Sequence, residues 1–201
     1  IDDKSPYTGG HCRRVPELTM MLADAAAATH EGPLSEFSMS EEDRYELRCA
    51  GWLYDCGKVT TPEYVMDKSV KLETIHDRMA EVRTRFEVLR REAYIHLLER
   101  RMNGELDEHA VAQAYRVECQ RLDDDCSFLA RCNLGGERMS EEDKARVRHI
   151  ATYDWRSADG APAPFLSENE VENLTIERGT LTAKEREIIN YHMVATISML
   201  E

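Results

Sequence analysis

From position 75 to position 97 the apolar side chains Ile75, Met79, Val82, Phe86, Leu89, Ala93 and Leu97 follow one another at steps of 4, 3, 4, 3, 4 and 4. Such a near-heptad puts every one of them on a single face of an α-helix and is useless to a strand. Arg78, Glu81, Arg83 and Arg85 flank the seam with charge. A second run, Val111, Tyr115, Glu118, Leu122, Cys126 and Leu129, repeats the pattern with one charged interruption. The connector Asn103-Gly104-Glu105-Leu106 is short enough to turn the two helices back on each other as an antiparallel hairpin spanning 73–133. At 1.5 Å per residue a helix of about thirty residues reaches about 45 Å, longer than a compact domain of this size requires. Two readings follow: a packed helix pair inside the domain, or a projecting arm through which two copies pair.

The rest of the chain is helical too, and no stretch alternates as a strand would. Ser40 with Asp43, Ser140 with Asp143, Ser167 with Glu170, and Thr182 with Glu185 mark helix starts at capping-box spacing. Gly57 and the pair Gly135-Gly136 supply stops where a left-handed residue ends a helix. Thr61-Pro62 reads as a cap followed by proline at the first helical position. The predicted order is helix 9–29, 41–56, 62–66, 73–103, 107–133, 141–154 and 183–201, an all-α fold. Residues 159–164, with Gly160, Pro162 and Pro164, form a loop.

Charge excludes some partners. With 39 acids against 26 bases the net charge is −13, so no general nucleic-acid or anionic-membrane surface is expected. No apolar run reaches the roughly 20 residues that span a bilayer, and no signal peptide opens the chain. Starting at Ile1, the chain reads as a segment of a longer protein. Cys12, Cys49, Cys56, Cys119, Cys126 and Cys132 contain no C-x-x-C pair and are read as reduced thiols of a cytoplasmic protein.

Generic motif chemistry is sparse. No two of the seven histidines stand at i, i+4, and His30, His76, His96, His109 and His149 read as surface or core residues. One run differs: Trp52-Leu53-Tyr54-Asp55-Cys56-Gly57-Lys58-Val59, then Thr61-Pro62 and Asp67-Lys68. Asp55 falls late in a helix, where the negative end of the dipole disfavours an anion unless a cation compensates it. Lys58 or a metal ion would be that cation.

This run resembles the H-D-x-G-K signature of the HD superfamily of metal-dependent phosphohydrolases, and more narrowly the HD-GYP branch. Thr8-Gly9-Gly10-His11-Cys12-Arg13-Arg14-Val15 is similar to the first-helix histidine segment of that branch. Arg178-Gly179-Thr180-Leu181-Thr182 through Glu185 to His192 is similar to its K-P-G-x-L-T-x-x-E segment and the histidine after it. The resemblance covers residues 5–68 and 176–201. It implies an HD-type helical bundle formed by 1–68 and 176–201, with 69–175 as a helical insertion.

The resemblance implies roles residue by residue. His11 would be a metal ligand, Asp55 would bridge two metals, His192 would serve the second, and Lys58 would bind and neutralise a substrate phosphate. Iron, manganese, magnesium or zinc would suit imidazole and carboxylate donors, and two such ions would activate water for an in-line displacement. The implied activity is phosphodiester hydrolysis in a bacterial signalling protein, with cyclic di-GMP as leading substrate. The sequence departs from the family in three places. Tyr54 stands where the family has the histidine of its H-D pair, and a phenol with an ordinary pKa near 10 is a poor ligand. Tyr7 is not the carboxylate that some three-metal members carry one turn before the histidine. Glu201 precedes the paired histidines and the G-Y-P segment. Low metal occupancy is therefore expected. Two alternatives stand beside hydrolysis of a cyclic dinucleotide: a degenerate HD domain that binds a nucleotide or a partner protein without catalysis, and an HD phosphohydrolase acting on nucleoside phosphates.

Overall fold

The computed structural model describes residue 5 and residues 10–136, 138–157 and 159–201. The chain divides into two compact units, one made of residues 1–67 and 183–201, the other of residues 68–182. Eight α-helices and one small β-hairpin are found among the described residues, so the fold is all-α with that exception.

In the first unit, α1 (His11–Ala27) lies against α2 (Glu41–Leu53). Gly51 lets the two helices touch, because a Cβ there would sit 3.0 Å from the Pro16 backbone. Ser40 caps α2 with a reciprocal box, its hydroxyl accepting from the Asp43 N–H while the Asp43 carboxylate accepts from the Ser40 N–H. The helix stops at Leu53, earlier than expected, and a 3-10 turn, Cys56–Thr60, follows. Pro62 is the N-cap of α3 (Glu63–Met66), not its first residue. The Thr61 hydroxyl caps nothing: it is buried and finds no hydrogen-bond partner among the described residues. Helix α8 (Ala183–Leu200) closes the unit by packing on the 3-10 turn.

The second unit is built on the hairpin. Helices α4 (Met79–Met102) and α5 (Glu108–Leu134) pack together, joined by residues 103–107. Met79, Val82, Phe86 and Leu97 from the first seam and Val111, Leu122 and Leu129 from the second are buried, as the periodicity predicts. Ile75 is the exception, 95% exposed. The reason is competition for the backbone ahead of the helix. Glu73 accepts from the Ser69 and Val70 N–H groups, and Asn133 holds both the Leu72 N–H, at 2.7 Å, and the Asp77 carboxylate, at 3.0 Å. These bonds keep residues 69–78 in turns and delay the helix to Met79.

The remaining elements complete that core. Helix α6 (Glu141–Ala151) starts at the Ser140–Asp143 box. It ends three residues before the expected limit, because Asp154 opens a strand: β1 (Asp154–Arg156) pairs antiparallel with β2 (Pro162–Pro164), Trp155 facing Ala163. Two prolines are tolerated in a two-stranded ribbon that has an edge on each side. Trp155 and Tyr153 both meet the buried Phe165 ring, which stands edge-on to Phe86 at 4.9 Å. The Ser167–Glu170 box opens α7 (Glu168–Leu174), a helix absent from the predicted order. Gly135 ends α5 in the left-handed region at φ +67°. Gly57, assigned the same role from the sequence, has no positive φ.

Candidate functional site

Three of the five residues singled out in the sequence come from the ends of elements in the first unit. His11 opens α1, Tyr54 is the C-cap of α2, and Asp55 precedes the 3-10 turn that carries Lys58. His192 projects from the middle of α8. Gly57 is what lets that helix approach. A Cβ on Gly57 would lie 2.1 Å from the His192 carbonyl oxygen and 2.5 Å from the Thr196 nitrogen. The Gly57 N–H also donates to the Thr196 hydroxyl at 2.9 Å. Thr196, one helical turn beyond His192 on the same face, was not singled out in the sequence; its i, i+4 spacing from His192 is the one signal that could have found it.

Asp55 is buried, and each of its oxygens faces a side-chain nitrogen. Lys58 Nζ lies 2.6 Å from Oδ2 and His192 Nε2 lies 3.3 Å from Oδ1. Lys58 is thus the cation that compensates Asp55 at this helix end. The ring of His192 is oriented from behind, its Nδ1–H donating to the Ile189 carbonyl. A carbonyl can only accept, so Nδ1 carries a proton and Nε2 is the atom turned to Asp55. A backbone carbonyl holding the far nitrogen is how many metal-ligating histidines are set.

The other half of the cluster is different. The Tyr54 hydroxyl lies 2.6 Å from His11 Nε2. Burial, and then the adjacent Asp55 carboxylate, push the Tyr54 phenol up to about 12, so it keeps its proton at neutral pH. With that proton in place the hydroxyl can donate to His11 Nε2 when that nitrogen carries no proton.

These donors decide how well the cluster suits a divalent metal. Among the described residues no three His, Cys, Asp or Glu side chains converge as a metal cage. Asp55 and His192 stand side by side, but His11 faces Tyr54, and Asp55 Oδ2 faces Lys58. Among the described residues the donor set does not fit a two-metal centre. Tyr7 and the Thr8-Gly9 part of the first-helix segment lie outside the described residues. His76, read as surface, is exposed and pairs with Glu81 at 2.5 Å.

No family model matches the chain, and no solved structure matches it. Among curated proteins, a stretch of 73 residues is 36% identical to the 3'3'-cGAMP-specific phosphodiesterase 3 of Vibrio cholerae serotype O1. That stretch is 36% of this chain and 14% of that protein. Over about a third of its length, the chain is similar to a phosphodiesterase. No helix among the described residues is long and apolar enough to cross a membrane.

Proposed function

We propose that residues 1–68 and 176–201 form an HD-GYP-like phosphohydrolase core, interrupted by a helical insertion at 69–175, and that this copy is a catalytically degenerate signalling module. It would receive a cyclic dinucleotide, or another phosphate ester, and pass the event on without cleaving it. The observation that carries the reading is the Tyr54 phenol, at the position where the family resemblance expects a metal-binding histidine: it keeps its proton and engages His11 at 2.6 Å. Asp55 is already neutralised by Lys58. A phosphate arriving at the cluster would compete with Asp55 for Lys58, exchanging one charge-assisted pair for another. Such an exchange alters the turn before α3 and needs no bond cleavage.

A second reading is hydrolysis of a cyclic dinucleotide, with cyclic di-GMP as leading substrate. The likeness to a 3'3'-cGAMP-specific phosphodiesterase favours it, as does the ligand-like setting of His192 beside Asp55. The test separates the two. The full-length protein is incubated with manganese or ferrous iron and either cyclic di-GMP or 3'3'-cGAMP, and linear product is followed by chromatography. The degenerate reading expects no turnover in the unaltered protein. Metal-dependent turnover there would replace it with the second reading.

A further inference from the structure

Helix α4 carries a second apolar stripe, on the side away from its buried seam. At about 100° per residue, Ile95 stands opposite the buried Phe86 and Leu97, and Val88 and Met102 lie within about 20° of the same line. Ile95 is 54% exposed and Met102 86%. Val88 is half-buried but belongs neither to the core of the unit nor to the side chains packed on it. A helix that has already buried one face, and still presents an apolar row on the other, offers a contact surface.

The chemistry of this stripe is symmetric about Ile95. Val88 and Met102 stand seven residues before and after it, and Arg91 and Glu99 stand four residues before and after it. Arg91 and Glu99 are both exposed and lie about 40° off the stripe, on opposite sides. A two-fold axis through Ile95 therefore lays the helix antiparallel on a second copy with its chemistry matched. Ile95 meets the partner's Ile95, Val88 meets the partner's Met102, and Arg91 meets the partner's Glu99, the last two contacts occurring twice. A parallel copy would instead set Arg91 beside the partner's Arg91. Arg91 now holds only Glu87 of its own helix, at 3.2 Å, and Glu99 has no ion-pair partner among the described residues. Net charge favours the same helix. α4 carries six arginines against four glutamates, and no other α-helix among the described residues has more bases than acids. Two copies of a chain with net charge −13 meet there with least repulsion.

We propose that the outward face of α4 is a homodimer interface, two copies crossing antiparallel at Ile95 with reciprocal Arg91–Glu99 pairs beside the apolar row. From residue 88 to residue 102 the contact runs about 21 Å. That is short of a permanent interface, so the dimer is reversible and forms at micromolar concentration. The charged pairs set its antiparallel register, and Val88, Ile95 and Met102 supply the area that leaves water. This inference does not depend on the function proposed for the first unit.

Sedimentation velocity of the full chain over a concentration series tests it, with a reversible monomer–dimer equilibrium as the expected result. Arg91→Glu and Glu99→Arg, each alone, set like charges together twice and are expected to weaken the dimer about tenfold or more. Combined, they rebuild the pair with its sign reversed and are expected to return the affinity to within about threefold of the parent. Arg116→Glu, on α5, changes the net charge as Arg91→Glu does and is expected to leave the affinity unchanged. All three positions are exposed, so the variants keep the fold, as far-ultraviolet circular dichroism would show. A monomer at every concentration, which would leave the stripe to a different partner, overturns the assignment. So does a double variant that fails to recover, or an equal loss in Arg116→Glu.

Discussion

Replacing Gly57 with alanine tests how the cluster around Asp55 is assembled. The backbone at Gly57 has no positive φ, so alanine fits the local conformation. If nothing else mattered, the change would stabilise by about 0.4–1 kcal/mol through the unfolded chain. The structure predicts the opposite sign. The new Cβ would meet the His192 carbonyl oxygen at 2.1 Å, the Thr196 nitrogen at 2.5 Å and its hydroxyl at 2.6 Å. Two of these are backbone atoms in the middle of α8 and have no rotamer to escape into. The turn and the helix must separate by roughly an ångström to restore ordinary contact distances, an overpacking cost of about 1–3 kcal/mol. The 2.9 Å bond from Gly57 N–H to Thr196 goes with it, a further loss of about 1 kcal/mol. The sum is about 2–4 kcal/mol from the first unit. Urea unfolding followed by Trp52 fluorescence in a Trp155→Phe background reads that unit alone, since the chain has two tryptophans. An alanine variant as stable as the parent would refute the close approach of α8 to the turn.

Arg85 holds Glu170 with two bonds of 2.8 and 2.9 Å, and Glu170 is 2% exposed. Arg85→Met leaves that carboxylate buried without its cation, held only by the Ser167 N–H, and is expected to cost about 3–5 kcal/mol, measured by chemical unfolding of the second unit. Burial pushes the Glu170 carboxyl up, but Arg85 and the Ser167 N–H together outweigh it and hold the group below the usual range. A depressed carboxylate contributes stability that is complete above its unfolded pKa near 4.3 and is lost as pH falls through the folded value. Acid titration by circular dichroism should therefore show the second unit weakening below about pH 4, and Arg85→Met, which leaves only the Ser167 bonds against burial, should shrink that dependence. Ser140→Ala removes the α6 cap and is expected to cost about 1 kcal/mol, read as a shift in the urea midpoint. The hairpin exposes Met102 and Val117, and pairing of two copies through it predicts a dimer by native mass spectrometry; a monomer at micromolar concentration would remove that role.

What the sequence disclosed was mostly local. Ser40, Ser140 and Ser167 each sit three residues from the acid that completes their box, so three helix starts were legible without tertiary knowledge. The buried positions of the hairpin followed from their spacing. Ile75 broke the pattern because Asn133, far along the chain, claims the backbone ahead of α4. The β-hairpin was hidden for a similar reason: Trp155 and Ala163 pair across a turn, and the prolines argued for a loop. In the site, the Asp55–Lys58 pair lies within one turn and could be anticipated. The contact of Tyr54 with His11 and that of Gly57 with α8 join segments far apart in sequence, and only the family resemblance linked Asp55 with His192 in advance.

On the reading proposed above, Tyr54 keeps this cluster from holding a divalent metal pair. Elemental analysis of the full-length protein, purified without added metal and then equilibrated with manganese, tests it directly beside Tyr54→His. Well under one metal per chain is expected in the unaltered protein, with a rise in the histidine variant. Stoichiometric iron, manganese or zinc in the unaltered protein would contradict it.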